Sequence, residues 1–186
     1  MLGESSRALI ALRNGFLAFV AALAWAGACA SAHATNATQA ETTVASAAVF
    51  DFELYDTSLE GEVRGENPDE RRRLLLISDL LRRLLRESGR FEVLDLAPVA
   101  ARIAAAGQFR GCNGCAVAIA RDLGADLAVT GVVQKVSNLI LNINIYLYDA
   151  ESGRLAQAMS ADIRGNTDES WSRGVSWLVR NRLLAE

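Results

Sequence analysis

Residues 139–149 read LILNINIYLYD, and their alternation decides the class of fold. The odd-numbered positions from Leu139 to Leu147 are all Leu or Ile. From position 142 the even-numbered positions are polar or amphipathic, namely Asn142, Asn144, Tyr146 and Tyr148. A period of two residues predicts a strand with one buried face and one face that is at least partly open.

The segments on either side extend this strand into a sheet. Residues 127–135 and 155–164 are β-prone, and Glu151-Ser152-Gly153 provides a short turn before the second of them. Three strands with short connections predict an antiparallel meander. A final helix is expected after the capping sequence Asn166-Thr167-Asp168-Glu169. Its inward residues are expected to be Trp171, Val175, Leu178 and Val179.

The amino-terminal half of the domain alternates strands with helices. Strands are expected at residues 47–54 and 91–96. Asn67 and Pro68 predict the start of a long helix that ends at Ser88, and shorter helices are expected at residues 99–106 and 117–123. We therefore predict a single α/β domain of the mixed α+β kind, with a mixed sheet and helices packed mainly on one face.

The first 34 residues have the layout of a secretory signal peptide. Arg7 and Arg13 precede an unbroken apolar run at residues 16–28, and small-residue cleavage sites follow at Ala32 and Ala34. A run of 13 residues is too short to span a bilayer core of about 30 Å. We therefore expect export to the periplasm with no membrane span. The sequence does not distinguish between cleavage after Ala32 and cleavage after Ala34.

This interpretation divides the chain into a signal peptide at residues 1–34, a flexible leader at 35–46 and one domain at 47–186. The alternative is a lipid anchor at Cys29. It is less favoured because Ala26 stands where a lipidation motif has a Leu-like residue.

Composition excludes several classes of function. Cleavage after Ala34 leaves 17 basic and 21 acidic side chains, a formal net charge of −4. Such a domain has no overall positive field to hold nucleic acid, and anionic lipid would not attract it strongly. Cleavage also removes His33, the only histidine, so Ser-His-Asp catalysis lacks its base. We expect no catalytic residues, no cofactor and no metal site.

Cys112-Asn113-Gly114-Cys115 is the sharpest local motif. Asn-Gly favours a turn, which brings the two thiols together, and an oxidising compartment favours a disulfide that pins the loop. The alternatives are a redox-active pair and two free thiols. No Lys or His stands nearby in the sequence to lower a thiol pKa, which argues against redox chemistry. Ala116 follows Cys115 where haem attachment requires His.

Two further sets of residues are candidates for binding. One is the polar side of the central strand, Asn142, Asn144, Tyr146 and Tyr148, which suits a binding face but would equally suit a face covered by a helix. The other is a group of carboxylates that suits a hard cation or glycosidase chemistry but is more commonly a solvated acidic loop, namely Asp51, Glu53, Asp56, Glu60, Glu62 and Glu66.

Three stretches together resemble a known family. They are a first strand with Asp51-Phe52, LGADLAVTGVV at residues 123–133, and IYLYDAESGR at residues 145–154. In this order they resemble the TolB amino-terminal-like domain, which is related to the curli-export lipoprotein and penicillin-binding-protein-activator folds. The resemblance implies an envelope module that binds other proteins, without a transferable active site.

A closer likeness is to a secreted bacterial family of unknown function. It is carried by FDFELYDTSLEG at residues 50–61, VQKVSNLIL at 133–141 and RGNTDESW at 164–171. Members of the family that this chain resembles often accompany periplasmic quinoprotein alcohol dehydrogenase systems. The expected function is a non-enzymatic accessory that binds envelope or periplasmic proteins. The alternative is a thiol-disulfide or small-ligand accessory that uses Cys112 and Cys115. Nothing in the sequence predicts the oligomeric state.

Overall fold

The computed structural model describes residues 44–185 as one domain built on a five-stranded mixed sheet. The predicted signal peptide, the possible anchor at Cys29 and nearly all of the predicted leader lie outside these residues. The strands are β1 (Ala45–Asp56), β2 (Phe91–Val93), β3 (Leu127–Ser137), β4 (Ile140–Asp149) and β5 (Leu155–Ile163). Their order across the sheet is β2-β1-β3-β4-β5.

Strand directions confirm the predicted mixed sheet. β1 is parallel to both β2 and β3, whereas β3, β4 and β5 form the expected antiparallel meander. The expectation that Leu139 shares the buried side of β4 is wrong. The register of β3 and β4 shifts between Lys135 and Ser137, so that Leu139 lies in the turn and is 71% exposed.

Five helices connect or follow the strands. They are α1 (Leu59–Arg64), α2 (Pro68–Glu87), α3 (Ala100–Ala106), α4 (Cys115–Leu123) and α5 (Asp168–Leu178), the last continued by a π-helical turn at Val179–Leu183. Four were expected, and Asn67 caps α2 as predicted, its side chain accepting a hydrogen bond from Asp69 N at 2.9 Å. α1 was not predicted. Ser58 caps it by accepting a hydrogen bond from Gly61 N. No helix within residues 44–185 is both long and apolar enough to cross a membrane.

The two faces of the sheet are covered unequally. α2 and α5 cover one face: α2 lies on β1 and β2, α5 lies on β4 and β5, and Ile77, Leu81 and Trp171 belong to the large buried cluster beneath them. The smaller helices α3 and α4 cover only one end of the second face, around Phe50 and Ile119. The prediction of helices mainly on one face is confirmed, and the uncovered part of the second face stays open.

β1 contains one extra residue relative to β3. Val49 pairs with Val129 and Phe52 pairs with Gly131, so three steps along β1 match two steps along β3. This is a β-bulge, and it exchanges the two sides of the strand beyond it. Val49 and Phe52 therefore both face α2, whereas Phe50 packs with the smaller helices on the opposite face.

Gly131 is required where the bulged strand meets β3. A Cβ built at this glycine would overlap the ring of Phe52, which lies directly over the β3 backbone. Phe52 is buried, and it is enclosed by the cluster under α2. The ring therefore takes the space that any other side chain at position 131 would need.

We predict that Gly131→Ala lowers the free energy of unfolding by about 1–3 kcal/mol, because overpacking forces the Phe52 ring out of position. Chemical denaturation measures the change. Gly111→Ala is the matched control, since its Cβ would meet no atom within 4 Å, and it should change stability by less than about 0.5 kcal/mol. Equal stability of the two variants would contradict the packing described.

Candidate functional site

The open part of the second sheet face forms a groove, which we call the sheet groove. Its floor consists of side chains from β1, β3 and β4, and one wall is the loop that precedes α4. The cavity holds about 720 Å³. Its floor carries Glu53, Tyr55, Thr130, Gln134, Asn144, Tyr146 and Tyr148, and its wall carries Phe109, Arg110, Cys112 and Asn113.

The wall is fastened to the sheet by Glu53. The carboxylate of Glu53 accepts hydrogen bonds from the backbone N–H of Phe109 and from that of Arg110, the second at 3.2 Å. The ring of Phe109 lies 4.6 Å from the ring of Phe50, centroid to centroid. The Arg110 guanidinium stacks over the ring of Tyr55 at 4.8 Å. Polar and aromatic contacts together therefore hold this loop beside the open face.

Cys112 and Cys115 close the end of the same wall with a disulfide, their Cα atoms 5.7 Å apart. Gly114 between them has φ of 83°, a conformation that glycine adopts without strain. Cys115 is the first residue of α4. The structure thus brings the two cysteines singled out in the sequence into the sheet groove, with Cys112 among the residues that line it.

Three of the four residues of the predicted binding face line the groove. The rings of Tyr146 and Tyr148 lie 6.4 Å apart along β4, and Asn144 is next to them. Burial raises the pKa of Tyr148, and the neighbouring Tyr146 adds to that rise, so the phenol remains a neutral donor. Asn142 lies beyond the groove, where its side chain bonds to Asp162 at 2.7 Å and Ser160 at 3.0 Å.

Most of the acidic candidates are bonded to other parts of the protein. Asp51 pairs with Arg82 at 2.5 Å, Glu66 with Arg71 at 2.7 Å, and Glu53 holds the groove wall. Glu62 is exposed at the rim of a second cavity, of about 800 Å³, beside α1 and the start of α2. Within residues 44–185 no three Asp, Glu, Cys or His side chains are grouped so that they could hold a metal ion.

Asp56 and Glu60 form ion pairs with a buried lysine for which the sequence predicted no role. Lys135, the only lysine, is 1% exposed, and its Nζ lies 2.7 Å from Glu70, 3.2 Å from Asp56 and 3.3 Å from Glu60. Glu70 is equally buried and also accepts a hydrogen bond from Asn166. We call Lys135, Glu70, Asp56 and Glu60 the lysine cluster. It ties β1, β3, α1 and α2 together at one end of the sheet.

The charges of this cluster stabilise one another. Burial alone would lower the pKa of Lys135, but hydrogen bonds to Glu70 and Asp56 outweigh it and hold that pKa above its ordinary value. Burial likewise opposes ionisation of Asp56, and bonds from Ser58 and Lys135 still leave the pKa of Asp56 lowered. The pKa of Glu60 is lowered by hydrogen bonds from Asn138 and Lys135. Lys135, Asp56 and Glu60 are therefore all charged near neutral pH.

Comparison with known proteins gives a family and a set of similar structures. Residues 45–183 match the model of DUF3280, described as "Protein of unknown function (DUF2380)". No curated protein matches the sequence. The sequence-based expectation that the chain belongs to a family of unknown function is therefore confirmed.

Three solved structures illustrate the similarity. The C-terminal domain of LpoB from Salmonella enterica is 15% identical, with a TM-score of 0.49, covering 68% of this chain and 87% of that one. Lipoprotein GNA1162 from Neisseria meningitidis is 18% identical, with a TM-score of 0.46, covering 75% and 96%. TolB from Acinetobacter baumannii is 14% identical, with a TM-score of 0.45, covering 76% and 28%. At these identities the likeness concerns the chain path and not what is bound.

For the lysine cluster we predict a strong energetic coupling between Lys135 and Glu70. Lys135→Met should lower the free energy of unfolding by about 3–5 kcal/mol, because it removes the cationic partner of the buried Glu70 carboxyl group. Combining it with Glu70→Met should cost less than the sum of the two single changes. Urea denaturation of the four proteins in this cycle measures the coupling.

The exposed pair Arg102 and Asp122 is the matched control for this cycle. Its double-mutant cycle with Ala should give a coupling of less than about 1 kcal/mol, since water screens both charges. A Lys135–Glu70 coupling no larger than that of the control would contradict a stabilising role for the buried cluster.

Proposed function

The chain belongs to family DUF3280, and we propose that it is a non-enzymatic, protein-binding accessory module of the cell envelope. The observation that supports this most is the sheet groove. It joins the aromatic row of β4 and the disulfide-closed loop, which are far apart in the sequence, in one concave surface. Proteins commonly bind ligands at concave surfaces that combine apolar or aromatic side chains with a few convergent polar groups, and a segment of a partner protein can occupy a groove of this kind.

The aromatic groups of the groove suit a protein partner. Tyr55, Tyr146 and Tyr148 are the only tyrosines of the chain, and all three line the groove. A tyrosine presents a large rigid surface and one polar atom, and it loses little conformational freedom when it is covered. Three such rings within one groove therefore provide the anchors that protein interfaces commonly use.

The polar groups of the groove are available to a partner. Within residues 44–185, the side chains of Thr130, Gln134 and Asn144 make no hydrogen bond with the protein, although all three are half-buried at the floor. In contrast, the charged groups Glu53 and Arg110 already bond to the wall and to each other. The groove therefore offers neutral donors and acceptors, which favour recognition over acid–base chemistry.

The envelope assignment rests on the export signal expected at residues 1–34 and on the Cys112–Cys115 disulfide, which an oxidising compartment favours. We place the protein in the periplasm on these grounds, with a lipid anchor at Cys29 as the alternative. Because the sequence resembles proteins that accompany periplasmic quinoprotein alcohol dehydrogenases, such a dehydrogenase is the first partner to test.

We predict that the groove captures its partner through the two β4 tyrosines. Tyr146→Ala combined with Tyr148→Ala should reduce capture from periplasmic extract by at least about tenfold, because truncated aromatic anchors cost about 1–2 kcal/mol each. Quantitative mass spectrometry of the captured proteins measures the change. Asn144→Arg, which places a bulky charge on the floor without removing packing, should give the same loss.

Leu75→Ala is the control for this experiment, since Leu75 is 53% exposed on α2, which covers the other face of the sheet. Capture should be unchanged in that variant. If the groove variants keep their melting temperature and still retain the same partner, the binding site is not the groove.

A second candidate function uses the disulfide for thiol exchange. The observation that favours it is that Cys115 begins α4, because a helix N-terminus lowers the pKa of a thiol placed there. In that case the protein would be a thiol-disulfide or small-ligand accessory, and the groove would orient its substrate beside Cys112.

Removal of both thiols has a different effect under each of the two functions. For a structural disulfide, we predict that Cys112→Ser with Cys115→Ser leaves partner capture intact and lowers the free energy of unfolding by at most about 2 kcal/mol, because the closed loop is short. Thermal melting and capture are measured on the same preparation. Lost function with unchanged melting would instead establish thiol exchange.

A further inference from the structure

α2 and α5 lie side by side over the face of the sheet opposite the groove. Asp168 at the start of α5 accepts hydrogen bonds from Arg72 at 2.7 Å and from Arg73 at 2.9 Å, both near the start of α2. At the other end, Arg90 donates to the backbone oxygen of Leu184 at 3.2 Å. The helices are therefore parallel neighbours, joined at both ends, and together they present one broad outer surface.

Charge is divided unequally between this helical layer and the rest of the domain. Residues 67–90 and 164–185 contain eleven arginines against six carboxylates, a formal net charge of +5. The remaining described residues contain six basic and thirteen acidic side chains, a formal net charge of −7. The nearly neutral total thus conceals a strongly basic side and a strongly acidic side.

The positive charge is concentrated where both helices end. Five exposed arginines lie there, and among the described residues the one ion pair that any of them forms joins Arg83 to Glu87 at 3.9 Å. We call this group together with Trp177 the arginine face, and its arginines are Arg83, Arg86, Arg90, Arg180 and Arg182. Within residues 44–185 the last four of these arginines form no ion pair.

Trp177 distinguishes this surface from an ordinary solvated helix face. Its side chain is 43% exposed at the edge of α5, where it lines a shallow cavity with Asp162 and Arg164, and the Arg182 guanidinium lies over its ring at 5.5 Å. Favourable interaction with the helix dipole explains one or two basic residues near each helix end, but it gives no reason for an exposed tryptophan among them. Arginine with tryptophan is a combination typical of proteins that rest on the polar region of a lipid bilayer.

We propose that the arginine face binds an anionic phospholipid surface. Guanidinium groups bond phosphate oxygens in a bidentate manner, and the tryptophan ring lies favourably at the level of the headgroups. A surface as wide as two parallel helices matches a flat membrane better than it matches a narrow acidic peptide. The net charge of −4 does not oppose this contact, because at physiological salt the field of the acidic side is screened within about 8 Å. A protein bound in this way leaves the sheet groove facing away from the membrane.

Vesicle binding of the segment Ala40–Glu186 tests the proposal. This compact unit contains both hydrophobic clusters and lacks the apolar run near the N-terminus, and its folding is verified first by its melting transition. Vesicles of phosphatidylglycerol and phosphatidylcholine in equal amounts should sediment the protein, whereas pure phosphatidylcholine should not. Added salt should release it. Trp171 is fully buried, so a blue shift of tryptophan emission on binding reports Trp177 and should be absent in Trp177→Phe.

Two triple variants of equal net charge complete the test. Arg86→Gln, Arg180→Gln and Arg182→Gln together should weaken binding to the anionic vesicles roughly 100-fold, since each arginine near the surface contributes about fivefold. The control, Arg64→Gln, Arg102→Gln and Arg154→Gln, should change binding by less than about threefold, because these exposed arginines lie outside the arginine face. Equal weakening in both triples, or no binding to either vesicle, would overturn the proposal. Binding to soluble polyglutamate but not to vesicles would assign the face to an acidic protein instead.

Discussion

The extra residue in β1 determines the two sides of the molecule, because every side chain beyond it in that strand changes face. With the bulge between Val49 and Phe52, the apolar Phe52 lies under α2 and over Gly131. The next residue, Glu53, consequently faces the groove, where it binds the backbone of the wall loop. Without the bulge, a carboxylate would be directed into the main core and a phenylalanine into the groove, at a high cost in free energy.

The resulting domain has two surfaces of opposite character. The sheet groove is lined by the three tyrosines and by polar side chains, and the part of the domain outside the helical layer carries an excess of acidic residues. The helical layer carries an excess of arginine. A protein that rests on a membrane through its helices and binds a partner through its sheet would use both surfaces at once, and neither contact would obstruct the other. The lysine cluster supports this arrangement by joining strands and helices at one end of the sheet.

Local patterns were sufficient to predict much of the fold, and long-range contacts were not. The alternation in β4, the Asn67–Pro68 cap and the capping sequence of α5 each act within one element, so they are visible in the sequence. Lys135 pairs with carboxylates 65 to 79 positions away, and no local pattern shows which of them it contacts.

The burial of Lys135 was nevertheless visible in the sequence, because this lysine continues the alternate buried positions Val129, Gly131 and Val133 of β3. Likewise, two consecutive apolar residues, Val49 and Phe50, interrupt the alternation of apolar and polar positions in β1 next to the bulge. In the candidate site, the alternation of β4 placed Asn144, Tyr146 and Tyr148 on one side of the strand. It could not show that Asn142 bonds instead to Asp162, because Asp162 belongs to the neighbouring strand β5.

Nuclear magnetic resonance of the tyrosine rings tests directly whether the sheet groove binds a partner, because Tyr55, Tyr146 and Tyr148 all lie in the groove. The protein is labelled on tyrosine and tryptophan and titrated with the periplasmic protein that copurifies with it. We expect all three tyrosine signals to shift or broaden together, while the indole signal of Trp177 stays unchanged. Unchanged tyrosine signals in a saturated complex would contradict binding in the groove and would place the interface outside the sheet groove.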